Sequence, residues 1–486
     1  MQPKLSKRKN IIRLAITYAG MIIVIILVVL FIFMFMLGYR FDKNNGQLEQ
    51  YALLQFNSSP SSATVTVDGS AISSQTPNKV SVPAGNHSLV IKRLNYQDWK
   101  KNINVKSATM TWFNYAILVP NKLNVEQITK YESIYASLSS PTKLNTIIQE
   151  KAEVPSFDLV NLSSDSPKST KIAIPAKSYS DATTSGIVHS FNPVKWDEGG
   201  RYVLIKHIYG DKSEWLVMDT QDVNLTKNIT QLLNVAINDI YFSGTNGNDY
   251  YALISNDIRK LNLSEGTISK PFVSNVSSFS LYEANIITYI GTGDASKNEQ
   301  VVGVYREGDS TSHILRKVTS KDTSLRVATA HYFNEDYVAI AEGKKVDILR
   351  GSYPNGTDSA ASLKIIDSFE SKQAIHSLIF SPTGEYIVVQ SDAYFTSYDL
   401  EYQKMYESTI DGNGPVSDIK WLDNNYIWSD RDGHLTIREF DGTNMHKINS
   451  VVYGQDVVMT HNKRFIYSIN KTATGYQLQR VRMILL

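Results

Sequence analysis

Nine histidines, at positions 87, 189, 207, 313, 331, 376, 434, 446 and 461, are the first side chains to weigh for metal or proton-transfer chemistry. None falls in an H-x-H or H-x-x-x-H pair, so no zinc-binding helix is legible. His87, alone at the start of a strand, reads as a surface or half-buried β residue. Asp430-Arg431-Asp432-Gly433 is acidic enough for calcium but lacks the further spaced oxygens and the closing Glu of an EF-hand, and reads as a turn. Gly291-Thr292-Gly293-Asp294 lacks the third glycine and the following helix of a dinucleotide loop, so it reads as a hairpin turn. No G-x-S-x-G elbow occurs, and residues 429–436 hold the letters of a sialidase Asp-box at the wrong spacing. Asn161 and Asn224, in N-x-Ser/Thr contexts, read as loop residues. No catalytic, cofactor-binding or metal-ligating residue is assigned, no cofactor is implied, and the chain is expected to be noncatalytic.

The elements that would position any chemistry begin with an apolar run at residues 14–37, with no charge between Arg13 and Arg40. At about 1.5 Å per residue a helix over this run reaches roughly 36 Å, against a bilayer core of about 30 Å. The preceding segment carries Lys4, Lys7, Arg8, Lys9 and Arg13 with no acid, whereas Arg40 and Lys43 on the far side are offset by Asp42 and Glu49. Basic flanks stay cytoplasmic, so the N-terminus is expected inside and the bulk outside. The run is longer than a signal-peptide core, and no small-x-small site follows around Gly38, which favours an uncleaved signal-anchor. A lipoprotein route is closed, because the chain has no cysteine. Of 49 basic and 47 acidic residues, the five of the tail leave 44 against 47 for the exported part. That balance gives no basic surface for nucleic acid.

After the anchor, residues 51–57 read as a strand, and residues 63–68 alternate Thr and Val with the period of a half-buried strand. Asp68-Gly69 supplies a turn. A short strand at 79–82, a Pro83-Ala84-Gly85 hairpin corner and a strand at 87–93 follow, then Tyr96, Trp99 and a strand through Val105. This segment resembles the PEGA domain, a small all-β module of exported and surface proteins. The resemblance rests on Ser59-Pro60, Ala63, Val65, Val67-Asp68-Gly69, Thr76-Pro77, Val80, Pro83-Ala84-Gly85-x-His87, Tyr96, Trp99 and Val105. Ala84 stands where the family usually has Glu, which keeps the corner and removes a charge. The resemblance implies a structural or adhesive spacer without catalytic residues.

From about residue 130 onward, short β runs recur. The clearest unit, 375–400, has a strand, the Ser381-Pro382-Thr383-Gly384 turn, a second strand, a short hairpin and a third strand. Residues 416–441 and 191–220 follow the same plan, and looser copies start near Ile134, Ile237, Phe279, Thr329 and Asp456. Repeats of about 40–50 residues holding four strands each are the mark of a β-propeller, and these phrases resemble WD40-like and TolB-like propellers. The apolar C-terminal strand, 477–486, is expected to complete a blade beside a strand drawn from 116–128. The 28 tyrosines read chiefly as strand residues. Polar inserts at 163–169, 177–185 and 351–362 read as surface loops.

The expected architecture is an all-β ectodomain, a small PEGA-like β-sandwich followed by a seven- or eight-bladed β-propeller, behind one N-terminal transmembrane helix. Its segments are a cytoplasmic tail (1–13), a signal-anchor (14–38), a linker (39–50), the PEGA-like domain (51–118) and the propeller (119–486). The partners expected are the lipid bilayer, through residues 14–37, and an envelope protein or glycan, without nucleic acid. The expected role is a single-pass cell-membrane protein that binds or scaffolds at a propeller face. The alternatives are an assembly factor acting on neighbouring membrane proteins, or an enzyme whose site is dispersed over several blades.

Overall fold

The computed structural model describes residues 5–41, 46–180, 186–282, 285–319, 323–354 and 362–485. The first residues of the basic tail, and parts of the inserts at 177–185 and 351–362, lie outside the described residues. The chain divides between Lys122 and Leu123 into two compact units.

The first unit opens on a helix, Leu5–Met36, whose segment Ile11–Met36 is long and apolar enough to cross a membrane and buries nothing against the protein. Gly38 ends it. With φ at +82° it takes the left-handed conformation that stops a helix, and its amide donates to the Phe35 carbonyl at 3.1 Å. Two short strands, Tyr39–Phe41 and Leu48–Gln50, pair antiparallel where the sequence reads as a linker. The Tyr51 amide donates to the Gly38 carbonyl at 2.9 Å, and Gln50 Nε2 donates to the Leu37 carbonyl at 2.9 Å. The helix end is thereby stitched to the β module that follows.

That module is a sandwich. One sheet has Ala52–Ser59 between Asn78–Val82 and, in parallel, Met110–Ile117; the other runs Ser70–Gln75, Thr64–Val67, Gly85–Lys92, Trp99–Val105. Alternation along 52–59 and 85–92 turns Leu54, Phe56, Leu89 and Ile91 inward, where they are fully buried. Trp99 of the second sheet meets Phe113 of the first edge-on at 6.1 Å, which ties the two layers together. Asp68 and Gly69, both at positive φ, form the two-residue turn between Val67 and Ser70. Pro83-Ala84-Gly85 corrects the hairpin expectation. Its flanking strands belong to different sheets, so the corner carries the chain across the sandwich.

The second unit is an eight-bladed β-propeller. Seven consecutive four-stranded sheets occupy 136–173, 189–228, 239–268, 276–319, 325–370, 377–409 and 420–450. The eighth joins Val458–Met459, Phe465–Thr472 and Gly475–Arg482 to Val125–Tyr131, the first strand of the unit. The closing strand takes only the end of the 116–128 window, from Val125, and runs on to Tyr131, because Met110–Ile117 is already paired inside the sandwich. First strands of neighbouring blades approach one another, as 136–139 does 189–196 and 325–332 does 377–380, so they line the axis. Apolar cores lie between blades. Phe157 and Ile174 of blade 1 pack on Phe191 and Leu216 of blade 2, and Tyr131, Phe465 and Leu478 of blade 8 pack on Ile148 and Val160 of blade 1.

The repeat is written in its turns. Between the first two strands the amides of Ser140, Asp197, Ser381 and Thr460 donate to the carbonyls of Asn145, Tyr202, Tyr386 and Phe465 at 2.8–3.0 Å. The same four side chains accept from amides of the turn: Asp197 Oδ1 takes Tyr202 N at 2.7 Å, and Ser381 Oγ takes Tyr386 N at 3.1 Å. Short oxygen-bearing side chains are what such a turn demands, which is why the phrases recur.

Ring closure is locked by charge. Glu126 on the first strand faces Arg480 and Arg482 on the last, with Arg480 Nη2 at 2.7 Å and Arg482 Nη2 at 3.3 Å. Burial alone would raise the Glu126 carboxyl, but the Arg480 hydrogen bond and charge, joined by Arg482, hold it below its ordinary value. Arg480 is itself buried. Glu126→Ala strips a buried guanidinium of its counter-ion and is expected to lower the unfolding free energy by about 2 kcal/mol. Denaturant titration of the purified protein checks this, and an unchanged midpoint refutes the lock.

Candidate functional site

Residues on or beside the first strands build a belt that links blades 7, 8, 1, 2, 3 and 4. From blade 7, Lys420 Nζ reaches Asp456 Oδ1 of blade 8 at 2.9 Å. Asp456 crosses to blade 1, where its Oδ2 accepts the Ser139 amide and its own amide donates to Ser137 Oγ, both at 2.9 Å. The Tyr135 hydroxyl donates to Asn192 Oδ1 of blade 2. Lys195 of blade 2 places its ammonium 2.9 Å from the ring centre of Tyr241 in blade 3, and that ring packs on Phe279 of blade 4 at 4.8 Å.

Burial brings the Lys195 ammonium down to about 8, with Asp239 pulling only partly the other way. Burial, and then the charge of Asp239, push Tyr241 up to about 12. The belt thus holds one incompletely solvated cation on an aromatic face, an arrangement suited to binding polar groups.

A second cluster sits at the end of blade 2 where its first strand begins. His207 and Glu214 are fully buried; Nδ1 of His207 donates to Glu214 Oε1 at 2.8 Å, and its Nε2 meets His189 Nδ1 at 2.9 Å. Ser180 adds its amide and hydroxyl to the two oxygens of Glu214, each at 2.7 Å. Burial would raise the Glu214 carboxyl, yet His207, Asn228 and Ser180 bring it down to about 2. Phe191 stacks on His207 at 4.2 Å and Tyr209 at 4.9 Å, which fixes the imidazole plane. The result is a Glu–His–His chain whose nitrogens face one another rather than converge. Among the described residues no group of three His, Cys, Asp or Glu side chains is placed to hold a metal ion.

Spacing rules could not find this pair. His189 and His207 meet because Phe191 and His207 are cross-strand partners, a register fixed by the sheet. The other motifs take structural roles. Asp430 and Asp432 accept the amides of Gly454 and Asn413, so that acidic run is spent on turns. Asp294 caps a 3-10 turn by accepting the Ser296 amide at 3.0 Å. Ser429 and Thr436 are cross-strand neighbours within blade 7. Asn161 accepts the Ser163 amide in its loop. His331 and His376 pair with Asp336 and Asp418 one at a time. Tyrosines 250, 251, 398, 426 and 467 are fully buried in the propeller. Asp399, pushed up to about 6 chiefly by burial, caps a turn by accepting the Glu401 and Tyr402 amides.

His87 departs from the surface expectation. It is buried, with Nδ1 2.6 Å from Asp68 Oδ2 and Nε2 2.9 Å from the Pro83 carbonyl. The ring bridges the two and clamps the Asp68-Gly69 turn to the Pro83 corner. The bond from His87, and then that from the Ser88 amide, hold the Asp68 carboxyl below its ordinary value.

Residues 52–119 match the PEGA domain. No curated protein sequence matches the chain. Among solved structures, the β-propeller domain of Myceliophteria thermophila Cps50 (Swd1) is 11% identical, with 68% of this chain and 100% of that one covered and a TM-score of 0.41. Kluyveromyces lactis Hsv2 is 12% identical over 73% of this chain and 100% of its own, with a TM-score of 0.38. An oligogalacturonate lyase in complex with manganese is 9% identical over 74% and 98%, with a TM-score of 0.42.

The buried chain sets a pH-dependent expectation. Because the folded Glu214 carboxyl lies below its ordinary 4.5, its contribution is complete above that pH and is lost as pH falls toward about 2. Glu214→Gln is therefore expected to cost about 2 kcal/mol at neutral pH, with the gap to the parent closing in acid. Thermal unfolding over a pH series checks it. A gap that persists unchanged at the acid end excludes the ionised carboxylate.

Proposed function

We propose that the chain is a noncatalytic binding or scaffold protein of the cell envelope, anchored by its N-terminal helix, with its bulk on the extracytoplasmic side. The partner, a protein or a glycan, docks on the propeller face where the first strands begin. One observation carries this reading. Tyr453 of blade 8, Tyr135 and Val154 of blade 1, and Val188 and Ile208 of blade 2 are all exposed on that face, Val188 to 76%. They form an apolar and aromatic arc over three consecutive blades beside the polar belt, the pairing of anchor residues and polar rim that binding surfaces use. Tethering to a membrane supports the reading by raising the local concentration of the binding face near membrane-bound partners. The basic residues before the helix support an inward N-terminus. The Glu214–His207–His189 chain lies within blade 2 and could serve as an acid–base relay for an enzyme, and turnover of a substrate lost in His189→Ala would favour that class.

The absence of cysteine makes the topology directly testable. Leu94, 86% exposed in the PEGA domain, changed to Cys is expected to react with a membrane-impermeant maleimide on intact cells. Labelling only after lysis reverses the orientation. A photo-cross-linking residue at Val188 or Tyr453 is expected to give discrete adducts, and one at Tyr402, exposed on the opposite face, none. Adducts from Tyr402 alone would move the partner to the other face.

A further inference from the structure

A groove of about 380 Å³ opens between the strand that closes the ring and blade 1. The end of Val125–Tyr131 forms one wall, and the loop between the second and third strands of blade 1, with Asp158, forms the other. Tyr131 is only 5% exposed, and its buried hydroxyl has no hydrogen-bond partner. An orphaned buried hydroxyl is a cost to a folded protein. This one lines a groove of the size that ligands occupy.

Charge in the groove is layered by depth. Asp158 and Glu150 are half-buried, whereas Lys130, Lys151 and Lys171 are exposed at the rim. Lys171, 68% exposed, comes no closer to Glu150 than 4.0 Å. Ions so placed are screened by water, and ions on the floor are not. The inner field is accordingly negative. Burial raises the Asp158 carboxyl, Lys171 offsets this in part, and Glu150 raises it further. Burial raises the Tyr131 hydroxyl, and Asp158 and Glu150 add to the rise. Ser169 at Asp158, and Thr129 and Ser169 at Tyr131, offset these rises only in part, while Ile148 and Val154 supply apolar wall.

We propose that this groove binds a primary alkylammonium group, its nitrogen donating to Asp158, Glu150 and the Tyr131 hydroxyl and its alkyl stem lying on Ile148 and Val154. Three donors on a tetrahedral nitrogen match three oxygens. Charge-assisted bonds to half-buried carboxylates are the strong kind. A bare metal ion would find two carboxylates and a phenol, short of the convergent set that hard cations take.

The test titrates the full-length protein in detergent with n-butylammonium chloride, n-butanol and butylguanidinium, read by saturation-transfer NMR. Saturable n-butylammonium binding at least about tenfold tighter than that of n-butanol is expected, with a loss of about tenfold in Asp158→Asn. Tyr131→Phe separates binding from folding. It removes a hydroxyl that has no partner, so stability without ligand should be unchanged or higher while n-butylammonium affinity falls. Equal binding of n-butanol, tighter binding of butylguanidinium, no saturable binding, or parental affinity in both variants each overturns the proposal.

Discussion

A circular stack of sheets has to hide two ends, and in this chain the pairing of Val125–Tyr131 with Gly475–Arg482 hides both at once. Blade 8 without its borrowed strand would leave the flank of Gly475–Arg482 unpaired and uncover the apolar junction that Tyr131, Phe465 and Leu478 make with blade 1. Because each blade rests only on its two neighbours, a gap at one junction weakens the registration of all the rest. The Glu126–Arg480 contact therefore sits where one ion pair influences the whole ring. The belt depends on the same closure, since Asp456 and Ser139 meet only if blades 8 and 1 are held together.

Local chemistry was legible in the sequence, and cross-strand chemistry was not. The turns after Ser381 and Asp197 announce themselves because a short side-chain oxygen must accept amides a few residues later. Unit starts read near Ile134, Ile237, Phe279, Thr329 and Asp456 fall within a few residues of the first strands. The strand Ala52–Ser59 and the Asp68-Gly69 turn follow in the same way from period-two alternation and turn residues. Pro83-Ala84-Gly85 shows the limit, since one proline-glycine corner serves a hairpin or a passage between layers equally well. Only the pairing of distant strands decides between them.

The functional side chains were hidden for the same reason. Lys195 and Tyr241 lie in different blades, and Tyr131 meets the groove of Asp158 only because the first strand of the ring pairs with its last. Glu214 would be an ordinary surface acid on an amphipathic strand. It is the register of Tyr202–Tyr209 against Lys212–Asp219 that sets it opposite His207 and buries both. Hydrophobic periodicity tells which face of a strand is inside; it carries no information about which distant strand stands next to it.

The stitch at the base of the first β module has a mechanical meaning. Hydrogen bonds from Tyr51 and Gln50 to Gly38 and Leu37, just past the end of the helix, tie the two together there. The apolar segment Ile11–Met36 spans roughly 39 Å at about 1.5 Å per residue, longer than a hydrocarbon core of about 30 Å. A rod too long for its slab leans. Were the helix to stand in a bilayer, the sandwich tied to its end would lean with it, and a change in lipid thickness would swing that module.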